Sequence, residues 1–209
     1  MIGSERYDFD TRYPVGFRIM TRARGADRRE SIVRAAFDVI AERGYRGTSL
    51  AAVAERVGLT QQGLMHYFPT KEDLLKAVLE TRDQWDLLHF GHSSDTSSMT
   101  VNQLAELVDY NATRPGIVQT YTVLSADSVT DDHPARSYFQ DRYARVRIGM
   151  AQLLERHRDE LPPGLTPEQL APIAIAVLDG LQLQWLLSPD EVDMPTGFRN
   201  FLTLLGIKE

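Results

Sequence analysis

The side chains best suited to chemistry lie in a short segment that starts at Thr60, and they are hydrogen-bonding groups. Gln61 and Gln62 are adjacent, and a carboxamide can form two hydrogen bonds with the major-groove edge of adenine. Thr60 and His66 can contact bases or phosphates, and Gly63 allows a close approach to a DNA backbone. This combination predicts recognition of double-stranded DNA. The alternative is a set of ordinary solvent-facing residues.

Two short helices joined by a tight turn must position these side chains. Apolar residues recur at helical spacing on both sides of the turn, at Leu50, Val53, Ala54 and Val57 and then at Leu64 and Phe68. Thr48 is the expected N-cap of the first helix, Gly58 supplies the left-handed turn residue, and Thr60 caps the second helix. Such a pair is the helix-turn-helix unit, whose second helix enters a major groove.

A proline and a capping pair mark the end of this unit. Pro69 stops the second helix, because proline disfavours helical geometry in the preceding residue. Thr70 with Asp73 three positions later forms a near capping box, which opens a longer helix. We expect this helix to link the helix-turn-helix to the rest of the chain.

The same residues resemble the tetracycline-repressor (TetR) family of bacterial transcription regulators. The family's recognition-helix pattern, with its following lysine and leucines, is matched by Leu64, Met65, His66, Tyr67, Phe68, Lys71, Leu74 and Leu75. Met65 departs from the usual tyrosine, whereas the upstream IVRAAFDVIAERGYRGTSLAAVA is similar to the family's first helix. The resemblance is dense over about residues 27–80, and DGLQLQWLLSPDEVDM resembles the family's regulatory domains less specifically.

The resemblance implies that Tyr67 and Lys71 hold DNA phosphates, as the matching family positions do. The start of a helix can also present backbone N–H groups to a phosphate, which adds Thr48 and Ser49. The predicted DNA contacts are therefore Thr48, Ser49, Thr60, Gln61, Gln62, Gly63, His66, Tyr67 and Lys71. One short recognition helix reads only a few base pairs, so we expect a dimer on a pseudo-palindromic operator.

The remainder of the chain predicts further helices, because no segment alternates with period two for long enough to form a strand. We expect an all-α fold: a three-helix DNA-binding domain, then a larger helical bundle for regulation and dimerisation. The predicted divisions are a flexible arm at residues 1–24, the helix-turn-helix domain at 25–70, and the ligand-binding and dimerisation domain at 71–209. The arm either reaches DNA or is a solvated tail, and Met1 and Met20 are both candidate starts.

Apolar spacing and prolines predict where the later helices lie. They are expected from Lys71 to about His89, from near Val101 to before Pro115, from Gly116 to about Ala126, and from near Phe139 to near Leu161. Thr166, Pro167 and Gln169 then combine a cap, a first-position proline and a capping-box partner at the start of another helix.

The last two helices predict a subunit interface. The first of them is apolar on opposite faces, so it must be covered on all sides, within a large core or by a partner subunit. The resemblance says that these helices pair with their copies as a four-helix dimer interface. The residues expected there are Val177, Leu178, Leu181, Trp185, Phe198, Phe201, Leu202 and Leu205.

The resemblance also implies a pocket for an unknown small-molecule effector in the larger domain. The candidate lining residues are Trp85, Tyr110, Tyr121, Phe139, Tyr143 and Trp185, with Asn111, Gln182 or Asp179 as polar anchors. The alternative for each aromatic residue is that it fills the core. An effector that releases the protein from its operator would make it a ligand-controlled repressor, and an architectural DNA binder without effector is the competing interpretation.

Composition limits the other classes of function. The net charge of −6 is unevenly distributed, with 13 basic and 11 acidic residues before position 81 and 10 basic and 18 acidic residues after it. The more basic part is the one with the helix-turn-helix, where phosphate attraction is needed. The absence of cysteine excludes disulfides and is compatible with a reducing cytoplasm. No stretch of about 18 uncharged apolar residues is present to cross a membrane.

An enzyme is the competing class, and the sequence offers little for it. It has no G-x-S-x-G elbow, no phosphate-binding glycine loop and no H-E-x-x-H motif, and no cofactor is expected. His89 and His92 could face one way as metal ligands if helical, but Gly91 favours a helix end there. Neither a catalytic residue nor a metal site is predicted.

Overall fold

The computed structural model describes residues 23–90 and 99–207, with side chains for residues 27–82, 84 and 99–207. These residues form nine α-helices and, within the same ranges, no strand. The helices are α1 (Ala23–Gly47), α2 (Leu50–Arg56), α3 (Gln61–Met65), α4 (Lys71–Phe90), α5 (Val101–Ala112), α6 (Pro115–Asp127), α7 (Arg136–Glu155), α8 (Pro167–Leu187) and α9 (Met194–Leu204). The predicted all-α class is confirmed for the described chain.

Hydrogen bonds to side chains define the start of α2. Ser49 is the N-cap, and its hydroxyl accepts from the Ala52 N–H at 3.1 Å. The predicted cap at Thr48 is therefore wrong by one residue. Thr48 is buried instead, and its hydroxyl donates to the Gly44 carbonyl at 2.8 Å. This hydrogen bond stabilises the turn between α1 and α2, and Ser49 alone caps α2.

The turn between α2 and α3 follows the sequence prediction. Gly58 has a φ of +66°, the left-handed conformation that ends a helix. The Leu59 N–H then donates to the Ala54 carbonyl at 2.8 Å. Thr60 caps α3 as predicted, because its hydroxyl accepts from the Gly63 N–H at 3.0 Å. The helix-turn-helix is thus fixed by its own backbone and caps.

The middle of α1 is buried on almost every side, because the helix packs against α2, α4 and α6. Between Ile32 and Ile40 every residue except Arg34 is buried. Gly44 interrupts the helical geometry with a φ of +68°, so the last residues assigned to α1 turn away from its axis. This interruption directs the chain towards α2.

Two hydrophobic cores lie along the molecule. The first is formed by α1 to α4, with Ile117 and Leu124 of α6 and Phe139 of α7. The second is formed by α5, the end of α7, the first half of α8, and α9. Packing therefore continues across the predicted domain division after residue 70, and that division stays a prediction.

The later helices agree with the predicted boundaries except at the end of α7. This helix ends at Glu155, not near Leu161 as predicted. The reason is a change to three-residue turns, in which His157 N–H donates to Leu154 and Glu160 N–H donates to His157. Apolar spacing alone does not reveal such a change.

Capping boxes open α5 and α8. Thr166 and Gln169 exchange side-chain and backbone hydrogen bonds at the start of α8, as predicted. Thr100 and Gln103 do the same at the start of α5, a pair that the sequence analysis did not identify. Both boxes satisfy N–H groups that have no partner inside their own helix.

Helix α8 is strongly apolar, although little of it is buried within the chain. It is the one helix in the described ranges that could cross a membrane by length and composition, with a mean hydropathy of 1.6, which is weak evidence of a span. Asp179 interrupts its apolar sequence. Only 22% of its apolar window is buried within the chain, although α8 packs on α6, α7 and α9. A large apolar surface of α8 therefore remains uncovered in one subunit.

Replacement of Gly58 tests the turn of the helix-turn-helix. A Cβ atom there would meet nothing within 4 Å, so backbone strain is the expected cost. Gly58→Ala should lower the free energy of unfolding by about 1–2 kcal/mol, measured by urea denaturation. Gly58→Asn is the control. Its free energy of unfolding should fall by less than that of Gly58→Ala, because asparagine tolerates the left-handed region. Equal stability of the glycine and alanine proteins would contradict the assignment.

Candidate nucleic-acid interface and ligand pockets

The outer face of α3 carries the side chains that the sequence assigns to base contacts. Gln61, Gln62 and His66 are exposed, whereas Leu64 and Phe68 are buried in the first core. The buried pair holds this short segment against the domain and leaves its polar side free. The result is a polar ridge whose residue types suit hydrogen bonding in a major groove.

Two other residues of this segment have local features that the sequence did not fully indicate. A Cβ atom at Gly63 would lie 3.3 Å from the Thr60 hydroxyl oxygen, so the glycine keeps the cap of α3 uncrowded. Met65 is exposed, and sequence reasoning treated it only as a departure from the family pattern. Its apolar side chain lies on the same short helix as the glutamines and is suited to a thymine methyl group.

The predicted phosphate contacts at the start of α2 have different environments. Ser49 is exposed and caps the helix through its hydroxyl. Thr48 is buried, with its hydroxyl engaged by the carbonyl of Gly44. Of this pair, Ser49 is the one with an accessible side chain.

Lys71 begins α4 beside the end of α1. Its ammonium group lies 4.0 Å from the centroid of the Tyr45 ring, a cation–π contact. Burial lowers the pKa of Lys71, and the neighbouring Glu72 carboxylate opposes that change. The Tyr45 hydroxyl donates to Glu72 at 3.3 Å, so burial and this carboxylate raise the pKa of Tyr45. Tyr67, the other predicted phosphate contact, is half-buried.

Three of the predicted ligand residues meet between α6, α7 and α8. The rings of Tyr121 and Phe139 contact edge to face, with centroids 5.0 Å apart. The Tyr143 hydroxyl donates to Asp179 at 2.8 Å, and burial raises the pKa of this tyrosine further than the carboxylate does. Asp179 keeps exposed surface, yet surrounding protein atoms desolvate its carboxylate and raise its pKa. Asp179, one of the three alternative polar anchors predicted from the sequence, is therefore in contact with Tyr143.

Arginine side chains add positive charge to this cluster. The Arg82 guanidinium lies 3.7 Å from the Tyr121 ring centroid, and that of Arg142 lies 4.9 Å from it. Both cations lower the pKa of Asp179, against the effect of burial. The Tyr121 hydroxyl is buried without a hydrogen-bond partner among the residues that the structure describes, so a ligand oxygen or nitrogen could satisfy it.

A cavity of about 390 Å³ borders the cluster between α6 and α7. It is lined by Ser125, Ser128, Val129, Arg136, Phe139, Gln140, Tyr143 and Arg147. Its volume falls in the range of small-molecule sites, and its lining mixes aromatic, hydroxyl and guanidinium groups. Such a lining is suited to a polar organic molecule.

Tyr110 and Asn111 form a different cluster at the end of α5. The Arg114 guanidinium lies 3.6 Å from the Tyr110 ring centroid and donates to the Asn111 side-chain oxygen at 2.9 Å. Arg114 and Asn111 are both buried. These two predicted ligand residues therefore surround a buried arginine and do not join the Tyr143 cluster.

Trp185 lies apart from both clusters. It borders a groove of about 410 Å³ between α1, α6 and α8, together with Asp38, Ala41, Glu42, Pro115, Gly116, Gln119, Leu186 and Pro189. Gln182 is half-buried almost one turn earlier on α8. The predicted ligand residues are thus distributed over several locations in the fold.

Some predicted residues lie outside the described part of the chain. The side chains of Trp85 and His89 are not described, and neither is His92. The same holds for the predicted arm, residues 1–24, apart from the backbone of its last two residues. Among the described side chains, no group of three or more His, Asp or Glu residues could hold a metal ion.

The predicted dimer residues separate by burial. Phe198, Leu202 and Leu205 belong to the second core of a single chain, so their side chains do not form a surface. Val177, Leu178, Leu181, Trp185 and Phe201 are half-buried. The exposed apolar positions of α8 are Ile173, Ala176, Leu183 and Leu187. They follow one another at steps of three, seven and four residues, so they lie on one face of the helix. This stripe was not part of the predicted interface set.

Two family models match the chain where the helix-turn-helix and the later helices lie. The model for bacterial regulatory proteins of the tetR family matches residues 32–78, and that for the C-terminal domain of BetI-type transcriptional repressors matches residues 101–201. The chain belongs to the TetR family. It is a helix-turn-helix transcriptional regulator and not an enzyme, and the resemblance found in the sequence is confirmed.

Known proteins match this TetR-family chain in sequence or in structure over most of its length. The transcriptional regulator TtgR of Pseudomonas putida is 27% identical over 193 residues, 83% of this chain and 87% of that protein. NalD, the secondary repressor of the MexAB-OprM multidrug efflux pump in Pseudomonas aeruginosa, has a TM-score of 0.67 at 21% identity, over 88% of this chain and 95% of NalD. A transcriptional regulator from Saccharomonospora viridis in complex with choline has a TM-score of 0.64 at 17% identity. The match covers 88% of this chain and 100% of that structure. These structural likenesses establish the fold.

Proposed function

We propose that this regulator is a homodimeric repressor that binds a pseudo-palindromic operator and is released by a small-molecule effector. The observation that carries the proposal is the one-sided burial of α3, with Gln61 and Gln62 exposed and Leu64 buried. A recognition helix needs this arrangement, because its inner side must be fixed while its outer side reads bases. Repression is the proposed sign of control, since tight binding over a promoter blocks it without further contacts.

The base contacts proposed are Gln61, Gln62 and His66, with Thr60 beside them. Ser49, Tyr67 and Lys71 are proposed to bind phosphates, which fix the register of the protein on DNA but carry no sequence information. Two observations support these roles: Ser49 is exposed, and Lys71 is the first residue of α4. Action on chromosomal DNA implies a cytoplasmic location.

Dimerisation is proposed through the exposed stripe of α8, together with Leu204 of α9, which is 80% exposed. The stripe lies opposite the side of α8 that packs into the second core, at Ala171, Ala174 and Ile175. A partner subunit would cover this apolar surface and remove it from water. A two-fold dimer would also present two recognition helices to two half-sites.

The effector is proposed to bind in the cavity beside Tyr121, Tyr143 and Asp179. Support comes from its volume and from its mixed lining, which includes Phe139 and Tyr143 of the aromatic cluster. Its walls belong to the end of α6, the turn that follows α6, and α7, and α6 also packs on α1 of the DNA-binding unit. A molecule that favours one position of α6 can therefore change the orientation of that unit.

The phosphate role of Lys71 is tested by the salt dependence of DNA binding. Lys71→Ala should weaken binding to all sequences alike and reduce the slope of log affinity against log salt concentration by about one. Lys76→Ala is the matched control, since its side chain is 76% exposed on the same helix and near Glu80. An unchanged slope for Lys71→Ala would remove the proposed phosphate contact.

The dimer surface is tested by placing a charge on the stripe. Leu187→Arg should give monomers in sedimentation, because an arginine within an apolar interface would be desolvated. Val129→Arg is the control, because Val129 and Leu187 are both 75% exposed but Val129 lies in the turn after α6. Persistence of dimers in Leu187→Arg would place the interface elsewhere.

The effector proposal is tested by reciprocity between the two binding sites. A thermal-shift screen of small organic molecules supplies a compound, since a ligand of the folded state raises its stability. The compound should weaken operator binding by about 5- to 150-fold. Operator DNA should weaken binding of the compound by the same factor. Tyr143→Phe should weaken binding of the compound and leave operator affinity unchanged. Equal compound affinity with and without operator would exclude it as the signal and favour an architectural role.

A further inference from the structure

Helix α6 contacts the backbone of α1 through three side chains placed along its length. The Thr120 hydroxyl lies 2.8 Å from the Phe37 carbonyl and 2.8 Å from the Gly116 carbonyl of α6, so these two acceptors share its proton. The Gln119 amide donates to the Ala41 carbonyl at 3.2 Å. Near the end of α1, the Tyr45 N–H donates to the Asp127 carboxylate at 3.1 Å. The contacted α1 residues follow one another at four-residue steps, so they form one row along the helix.

The last two contacts engage two backbone groups of α1 that pair with each other in a regular helix. In an uninterrupted α-helix the Tyr45 N–H would donate to the Ala41 carbonyl four residues earlier. The left-handed Gly44 lies between them, and α6 supplies a partner for each group. A Cβ atom at Gly44 would lie 3.2 Å from the Asp127 carboxylate oxygen. Asp127 therefore fits closely against the interruption that ends α1.

The residue held by Asp127 connects several parts of the DNA-binding unit. The Tyr45 ring contacts His133 of the segment after α6, with centroids 4.8 Å apart, and carries the Lys71 ammonium above it. Its hydroxyl donates to Glu72 at the start of α4. The adjacent Gly44 carbonyl accepts from the hydroxyl of Thr48, which precedes Ser49, the N-cap of α2. A change at the Tyr45 amide would thus alter the approach to α2 and the position of a proposed phosphate contact.

We infer that Asp127 is a positioning residue, which sets the orientation of the helix-turn-helix for DNA by holding the Tyr45 amide at the interruption of α1. The inference rests on the proposed DNA-binding role of α3. Asp127 acts through α1 and lies outside the predicted base and phosphate contacts. Without its acceptor oxygen the turn can adopt other arrangements, and a smaller competent fraction weakens apparent affinity in proportion.

The test compares Asp127→Ala with two variants that also lose a negative charge. Asp127→Asn keeps a side-chain oxygen that can accept from Tyr45, and Asp131→Ala removes a carboxylate that is 95% exposed in the following turn. Loss of negative charge alone should strengthen attraction to DNA or leave it unchanged. Asp127→Ala should nevertheless bind an operator selected from random DNA about tenfold more weakly, with the salt slope of the native protein.

Two readouts distinguish positioning from a general structural role. The affinity ratio between operator and random DNA should fall for Asp127→Ala and not for Asp127→Asn, at a temperature where all variants are folded. Hydrogen exchange of the Tyr45 amide should accelerate in Asp127→Ala alone, a measurement that needs no DNA. Equal operator affinity or equal Tyr45 protection in Asp127→Ala and Asp131→Ala would overturn the inference, as would equal losses in both Asp127 variants. If the native protein selects no DNA sequence, the proposed function fails instead.

Discussion

The burial of α1 is the constraint on which the other parts of the structure depend. This helix supplies the core of the helix-turn-helix, and it also packs against α4 and α6. A helix whose middle is buried on nearly every side cannot shift against one neighbour without disturbing the others, because interiors are close-packed. The orientation of α2 and α3 therefore depends on contacts made well outside the DNA-binding sequence. Among them are the hydrogen bond that Thr120 donates to α1 and the one that Asp127 accepts from Tyr45.

The larger part of the molecule contains more polar groups than a simple helical core requires. Arg82 and Arg114 are buried, and each stacks on a tyrosine ring. Burial of a cation is costly unless its charge is compensated, so these side chains indicate an interior organised around polar contacts. Asp179, held by Tyr143, adds the opposite charge beside a cavity. An interior with both signs of charge near aromatic rings can respond to a bound molecule by rearranging a small number of contacts.

Helix α8 has a buried apolar side and an exposed apolar side, and its sequence does not show which is which. One side fills the second core with Ala171, Ala174 and Ile175, and the opposite side exposes an apolar stripe. Because both sides are apolar, helical periodicity predicts burial all round without indicating which residues face the same subunit. The structure assigns Phe198, Leu202 and Leu205 of α9 to the subunit core, and it leaves Leu183 and Leu187 exposed.

The sequence by itself determined the features that depend on neighbouring residues. The turn at Gly58, the caps at Thr60 and Thr166, and the split of α3 into buried and exposed sides all follow from spacing and capping chemistry within a few positions. The N-cap at Ser49 was predicted one residue early, since adjacent threonine and serine can each cap a helix. Tertiary structure alone decided which aromatic residues meet Asp179, which side of α8 is exposed, and that Asp127 contacts Tyr45 across 82 positions. These contacts join residues far apart in the chain, and their geometry is set by how whole helices pack.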